Sequence, residues 1–426
     1  MNGTTLPTPD SPDLNQTLDH LFRHEAGKMV AVLTRLFGFP NMQQAEDIVQ
    51  DTILKALESW KYGKMPENPQ AWLYYTAKNK VIDLIRRQQV RHKIEHELSF
   101  LLTSEYSLVP TINEIFTENE IRDSQLRMMF ACCHPSFSKE SQIALTLNTL
   151  CGLNVREIAD AFLTSEETIR KRMYRTKEKL RSEKITLDYP GVEAMAERME
   201  AVLKTLYLLF NEGYHSSHPE KLIREDLCAE AMRLTLLLTE NRKTDLPYAS
   251  ALLALMCFQS SRFNARIDDQ GLIILLKDQD RTQWNRQLIA KGNQYLNLAA
   301  SGEMLHEYHI EAAIASIHAN SVDYGDTDWK LILQLYNLLL EKVYNPVVAL
   351  NRCLVIGETD GYASAIIELQ KMEGMEENRL YNTSLGEMHL KNGEKIIART
   401  YFEKALSRTL SAAERKLINA KISLCN

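Results

Sequence analysis

Asn154-Val-Arg-Glu-Ile-Ala-Asp-Ala-Phe-Leu-Thr-Ser-Glu-Glu-Thr-Ile-Arg-Lys-Arg-Met-Tyr-Arg-Thr-Lys-Glu-Lys-Leu-Arg181 is the stretch that decides the fold of this 426-residue chain. Val155, Ile158, Ala159 and Phe162 recur at helical spacing and predict a short first helix. Leu163, Thr164 and Ser165 predict a three-residue turn, and Thr164 with Glu167 has the T-x-x-E pattern of a capping box. Ile169, Met173, Thr176 and Leu180 then fall on one stripe of a second helix. The remaining face carries Arg170, Lys171, Arg172, Arg175 and Lys177. A short helix, a tight turn and a basic second helix are the pattern of a helix-turn-helix, whose second helix enters a DNA major groove. Arg172 and Arg175 are placed to read guanine edges, and Lys177, Lys179 and Arg181 to sit nearer phosphates. The plain alternative is a solvated basic face.

Working outward, the charge is segregated. Residues 1–187 balance to zero, and residues 188–426 carry the whole net charge of −6. Within the neutral half a second basic run, Lys78 to Lys93, lies about 90 residues before the first; two such runs suit two contacts with one polyanion. This run differs in kind. It follows the loop Lys61–Pro69 and is interleaved with Tyr62, Trp72, Tyr74 and Tyr75. Single-strand readers need flat apolar surfaces on which unstacked bases lie, as well as cations. The loop, stiffened by Pro66 and Pro69, offers a pocket for one extruded base. The helix behind it offers Lys78, Asn79, Lys80, Arg86 and Arg87, with Asn79 suited to an adenine edge. Trp72 reads equally as core or DNA contact, and Tyr75 reads as core. The preceding helix, Met42 to Trp60, has an apolar stripe of Ala45, Ile48, Val49, Thr52, Ile53, Ala56, Leu57 and Trp60. Its outer face, Glu46, Asp47, Gln50, Asp51 and Glu58, is acidic and suits a basic protein partner.

Sparse Gly and Pro and apolar residues recurring at three and four predict an all-α chain. Residues 1–16 read as a flexible tail, 17–94 as a first helical domain, 95–118 as a linker, 119–186 as a second helical domain and 187–426 as a long helical extension. Asp268 to Gly271, between short apolar runs, predicts one small β-hairpin near 264–277. The longest apolar run, Ala249 to Phe258, is too short to cross a bilayer, the N-terminus lacks a signal-peptide pattern, and seven cysteines without a C-x-x-C pair read as reduced thiols. These features predict a cytoplasmic protein with no membrane partner. Cys132-Cys133-His134 lacks a second ligand pair at zinc spacing, and Glu212 with His215 and His218 occurs in one copy only, so no metal and no cofactor are expected. His309, Glu311, Arg233 and His318 suggest a satisfied polar network, and Asp280 with Gln283 an N-cap pair. No nucleotide-binding loop or catalytic constellation is present, so the chain reads as a non-enzyme.

The pieces, in this order, resemble bacterial RNA polymerase sigma factors of the extracytoplasmic-function group. Ala45 to Trp60 resembles their core-polymerase-binding helix, Asn68 to Arg87 their −10-reading and promoter-melting helix, and the helix-turn-helix their −35-reading segment. The resemblance implies a promoter-specificity subunit that binds core RNA polymerase and promoter DNA and promotes opening for transcription initiation. It implies that Glu46, Asp47, Gln50 and Asp51 meet the clamp helices of the largest polymerase subunit. It implies −10 contacts from Lys61, Tyr62, Lys64, Asn68, Trp72, Lys78, Asn79, Lys80, Arg86 and Arg87. The −35 contacts would come from Ser165, Thr168, Arg170, Lys171, Arg172, Arg175 and Lys177. Lys171 departs from the small polar residues common at its position.

Some 240 residues follow the helix-turn-helix. They resemble a subgroup with a long TPR-like extension, through Phe210-Asn-Glu-Gly-Tyr214, Asp226 to Leu234 and Asp278-Gln-Asp-Arg281. Leu385, Gly386, Ala398, Phe402 and Ala405 fall on the small and apolar positions of one such repeat. The extension is expected to regulate the chain, through an unknown protein or small-molecule signal. The alternative is a helix-turn-helix regulator that does not join polymerase and carries a ligand-sensing helical domain.

Overall fold

The computed structural model describes residues 12–62, 65–87, 105–162, 164–183, 185–215, 222–268, 272–302, 304–409 and 412–426. Its described residues form α-helices, short 3-10 turns and one isolated bridge. The chain divides into two compact units, Met1–Leu208 and Leu209–Asn426, and the division falls inside one helix.

In the first unit, α1 (Pro12–Phe37), α2 (Met42–Tyr62) and α3 (Pro69–Arg86) pack together. Asn68 caps α3 by accepting from the Ala71 amide at 2.9 Å, and Pro69 follows at the first helical position, where its missing N–H costs nothing. The buried stripe of α2 holds Ala45, Ile48, Val49, Thr52, Ala56 and Trp60. Leu57, read as part of that stripe, is exposed instead, because it lies one residue beyond Ala56 and turns about 100° outward. A helix, α4 (Glu105–Ile115), occupies residues that the fading periodicity assigned to a linker. Leu108, Ile112 and Ile115 bury its inner face, and Pro110 stands inside it.

Next come α5 (Glu118–Cys132), α6 (Lys139–Thr149), α7 (Val155–Ala161) and α8 (Glu166–Ser182). Helix α7 opens on a complete capping box between Asn154 and Glu157. Helix α8 buries Ile169, Met173, Thr176 and Leu180, the stripe expected from spacing. Its N-cap is Ser165, which accepts from the Thr168 amide at 3.2 Å, not Thr164. Cys132 and Cys133 are fully buried, against Thr149 and Thr146.

The two helical groups of this unit touch. Helix α1 lies along α5 and α6. A Cβ on Gly27 of α1 would stand 2.3 Å from the Leu150 carbonyl oxygen, so only glycine permits that approach. Gly152, at φ 66°, sits where a Cβ would meet the Arg23 carbonyl oxygen at 2.6 Å.

The second unit contains the end of α9 (Val192–Tyr214). Around α11 (Pro247–Ser260) pack α10 (Glu225–Thr239), α12 (Arg286–Ala299) and α13 (Glu307–Asn320). Helix α11 is buried at nearly every position, which accounts for its unbroken apolar run: it is a central helix with no solvent face. Next come α14 (Trp329–Lys342), α15 (Pro346–Thr359), α16 (Tyr362–Gln370), α17 (Arg379–Lys391), α18 (Lys395–Ser407) and α19 (Ala412–Ser423), each packed on its predecessor. Gly386 accepts the Phe402 ring where a Cβ would stand 2.7 Å from it, and Ala398 and Ala405 are fully buried beside it. The expected β-hairpin reduces to a single antiparallel bridge, Ile267 to Ile273, among described residues. Hydrogen bonds from the Asp268 amide to Leu272 and the Ile274 amide to Arg266 flank it, and 3-10 turns lie on either side. Too few residues of extended backbone flank that turn to build two strands.

Candidate functional site

Helix α8 presents its cations to solvent. Its first turn ties Arg170 to Glu166 and Lys171 to Glu167, each at 2.6 Å, and all four side chains are exposed. Such i,i+4 pairs are worth a few tenths of a kcal/mol and yield readily to a phosphate. Arg172 leans over the Phe162 ring at 5.9 Å, and Arg175 is exposed with no ion-pair partner among the described residues. Ser165 and Thr168 bond each other at the N-terminus, where backbone donors favour an anion. Tyr174, 68% exposed between Met173 and Arg175, was not singled out by spacing. It lies outside the Ile169–Leu180 stripe, and that position was the available signal.

Lys177 differs from its neighbours. Its ammonium donates to both carboxylate oxygens of Glu46 on α2, at 2.7 and 2.8 Å. Both side chains are mostly buried. A residue expected on DNA thus holds a residue expected on polymerase. Arg23 to Glu157 at 2.5 Å and Arg35 to Glu120 and Asp123 at 2.7 and 3.3 Å join the same two helical groups. The turn Phe39–Asn41 lies against α8 as well.

On α3 one aromatic side chain departs from expectation. Tyr75, read as core, is 67% exposed. Its neighbour Tyr74 turns inward, and its hydroxyl donates to Glu25 at 2.5 Å. Glu25 is buried; desolvation opposes its charge, but hydrogen bonds from His24, Tyr74 and Lys28 outweigh it and hold its pKa at about 2. Trp72 is half-buried and meets Trp60 edge-on at 5.5 Å. Asn79, Arg86 and Arg87 are exposed. Lys78 is drawn inward instead, toward Asn113 at 3.2 Å and over the Phe116 ring at 5.5 Å, and burial lowers its pKa. Lys80 reaches Asp51 at 3.2 Å and so links the basic helix to the acidic one. Asn68 spends its side-chain oxygen on the cap described above. Lys64 and the side chains of Lys61 and Tyr62 lie outside the described residues.

The outer face of α2 exposes Asp47, Gln50 and Asp51, and continues into Leu54 and Leu57, 56% and 45% exposed. Acidic residues running into exposed leucines on one face suit a protein partner better than solvent. The periodicity did not identify Leu54 as part of this face.

The polar residues noted in the extension each have partners. Arg233 pairs with Glu230 at 2.8 Å, His309 accepts from the His306 amide at 3.0 Å, and His318 packs edge-on against Trp329. Asp280 caps its turn as expected, accepting from the Thr282 amide at 2.9 Å. No helix of the described residues is long and apolar enough to cross a membrane.

Residues 21–91 match sigma-70 region 2, residues 127–180 match sigma-70 region 4, and residues 198–300 match a family of unknown function, DUF6596. An uncharacterized protein of Rhizobium meliloti (strain 1021) is 34% identical over 387 residues, 90% of each chain. The ECF RNA polymerase sigma factor SigE of Mycolicibacterium smegmatis is 28% identical over 163 residues, 38% of this chain and 60% of its own. The ECF RNA polymerase sigma-E factor of Haemophilus influenzae is 28% identical over 153 residues, 35% of this chain and 78% of its own. No solved structure matches. With regions 2 and 4 matched in order on the two basic surfaces, the chain belongs to the sigma-70 family, in its extracytoplasmic-function group: a promoter-recognition subunit that binds core RNA polymerase and promoter DNA and carries a long C-terminal extension.

Proposed function

We propose the following division of labour. Helix α2 meets the clamp helices of the largest polymerase subunit through Asp47, Gln50 and Asp51, with Leu54 and Leu57 completing the contact. Helix α3 holds the −10 strand through Asn79, Lys80, Arg86 and Arg87, with Tyr75 as a base-stacking surface. Helix α8 reads the −35 element through Arg172 and Arg175, with Ser165, Thr168, Arg170 and Lys171 on phosphates. Region 2 occupies 17–94, region 4 occupies 119–186, and residues 187–426 are a TPR-like regulatory extension. The chain works in the cytoplasm and has no turnover chemistry of its own.

The observation that carries this reading is the exposed aromatic-and-basic surface of α3 beside the exposed acidic-and-apolar face of α2. A helix-turn-helix regulator needs neither. The reading has a mechanical consequence. The −10 and −35 elements are about 25 base pairs apart, ~85 Å along B-DNA. Lys177 of the −35 helix and Glu46 of the polymerase helix are in hydrogen-bond contact. The two groups must part before both elements are read, so the packed unit is a resting state.

Binding of the full chain to core polymerase tests the division of labour. Asp51→Arg with Leu54→Asp should abolish binding and leave the chain folded. Undiminished binding would move the polymerase contact elsewhere.

A further inference from the structure

The second unit stacks three arginines and two aromatic rings in alternation. The Arg266 guanidinium lies 3.8 Å from the Tyr214 ring centroid. Arg262 lies 6.0 Å from Tyr214 and 5.9 Å from Trp284, and Arg281 lies 4.8 Å from Trp284. Among the described residues none of the three forms an ion pair with a carboxylate. Their hydrogen bonds go to neutral groups. Arg262 bonds the Tyr214 hydroxyl. Arg266 donates to the Tyr214 carbonyl at 2.8 Å and reaches His215 Nδ1 at 3.4 Å. Arg281 donates to the His318 and Ser321 carbonyls, both at 2.7 Å.

Ring faces and carbonyls offset only part of the cost of removing a guanidinium from water. The nearby imidazoles are kept neutral, by burial first and by the arginines second. Burial first, then Arg262 and Arg281, lowers His318 to about 3. Burial, then Arg266, Arg262 and Arg379, lowers His215 to about 4. Asp323 and Asp326 act on Arg281 from a distance only.

Three polar atoms at one end of the stack are buried without a partner: Arg281 Nη2, Trp284 Nε1 and His318 Nδ1. Arg281 is 9% exposed and Trp284 is 2% exposed. Groups of unsatisfied buried donors are rare in native proteins and call for an occupant. Two of these atoms are N–H donors, and His318 Nδ1 becomes a third in one tautomer. Donors beside uncompensated cations fit an anion.

We propose that this arginine–aromatic stack is a receptor for a small oxyanion of the phosphate class. Forked guanidiniums match a tetrahedral oxyanion bidentately, and three cations favour a dianion over a single carboxylate. Arg281 Nη2, Trp284 Nε1 and His318 would close on its oxygens. The inference is independent of the sigma reading. It concerns residues within and just beyond the 198–300 match, and failure of polymerase binding would leave it intact.

Titration calorimetry on the full chain tests it, with inorganic phosphate at constant ionic strength, and a tryptophan fluorescence change that is absent in Trp284→Phe is a second readout. The expected result is saturable one-to-one binding with a Kd at or below about 1 mM, weakened at least about tenfold by Arg281→Gln and by Arg262→Gln. Pyrophosphate and acetate form the other arms. Tighter binding of pyrophosphate supports a phosphorylated molecule as ligand, and tighter binding of phosphate supports the free ion. Acetate binding as well as phosphate would overturn the ligand class. No saturable signal in the wild type, or undiminished binding in Arg262→Gln, would overturn the site and leave a water-bridged structural stack. Should Arg281→Gln fail to fold, Arg262→Gln and the fluorescence readout still decide.

Discussion

The cations of α8 and those of the arginine stack are the same chemistry placed in opposite surroundings. Arg170 and Lys171 are 68% and 65% exposed and lean on glutamates one turn away. Arg281 is 9% exposed and bonds only to carbonyls. Exposed cations cost little to place, hold their neighbours loosely and remain available to a long polyanion, with strong salt dependence. Buried ones are expensive, fixed in geometry and reachable only by something small. Glu25 is the control for both: a buried charge that the protein satisfies itself, through Tyr74, Lys28, His24 and Gln70. Among the described residues, what distinguishes the arginine stack is that no carboxylate forms an ion pair with it, Asp323 and Asp326 acting on Arg281 only from a distance.

Four perturbations break or sharpen that contrast, in decreasing order of effect. Arg172→Ala with Arg175→Ala should cost most. A good base-edge contact is worth about 1–3 kcal/mol, so affinity for a specific −35 fragment should fall on the order of 100-fold or more. Anisotropy on matched and scrambled fragments checks it; an equal loss on both would show phosphate contacts only.

Glu25→Gln is next. The Glu25 pKa lies at about 2 against an ordinary 4.5. Its stabilisation is therefore full above pH 4.5 and lost as pH falls toward 2. That is worth about 3 kcal/mol at neutral pH. The variant should melt several degrees lower at pH 7 and show a flatter acid limb between pH 4.5 and 2. An unchanged acid limb would remove Glu25 as the control.

Arg23→Ala should cost about 1 kcal/mol, because the Arg23–Glu157 pair is only partly buried. Its value is as a readout of parting. Energy transfer between dyes on α2 and α8 should fall in the variant, and core polymerase should bind faster. Identical transfer in both proteins would show that Arg35, Lys177 and the glycine contacts at Gly27 and Gly152 hold the groups together without this ion pair.

The smallest effect belongs to Glu166→Gln. Removing an exposed i,i+4 pair should change stability by at most about 0.5 kcal/mol. Freed Arg170 should bind nonspecific DNA slightly better, with a steeper salt dependence. A large destabilisation would mean that the exposed cations of α8 are structural after all.

The helix-turn-helix was legible because one strict stripe, Ile169, Met173, Thr176 and Leu180, had to be buried and left the basic face nowhere but solvent. The acidic face of α2 was legible for the same reason. Tyr74 and Tyr75 were not separable by spacing, since adjacent aromatics differ by a single 100° step. The buried hydrogen bond from Tyr74 to Glu25, 49 residues away, decides between them. Leu57 was assigned inward because a leucine carries no mark of a partner-facing role. Helix α4 escaped because Pro110 and a short apolar stripe blur its period. The arginine stack was not legible as a site. Tyr214 and Arg281 fall in phrases that carry the subgroup resemblance and Arg266 in the expected hairpin, but only tertiary packing brings the arginines onto Tyr214 and Trp284. Lys177 illustrates the same limit: its place on the basic face was readable, its partner on α2 was not.

The most direct test of the central claim is run-off transcription with purified core polymerase, the full chain, and templates from a genomic fragment pool. The account predicts discrete promoter-specific transcripts that vanish in the Arg172→Ala, Arg175→Ala variant. No transcript, together with no complex between the wild-type chain and core polymerase, would contradict it.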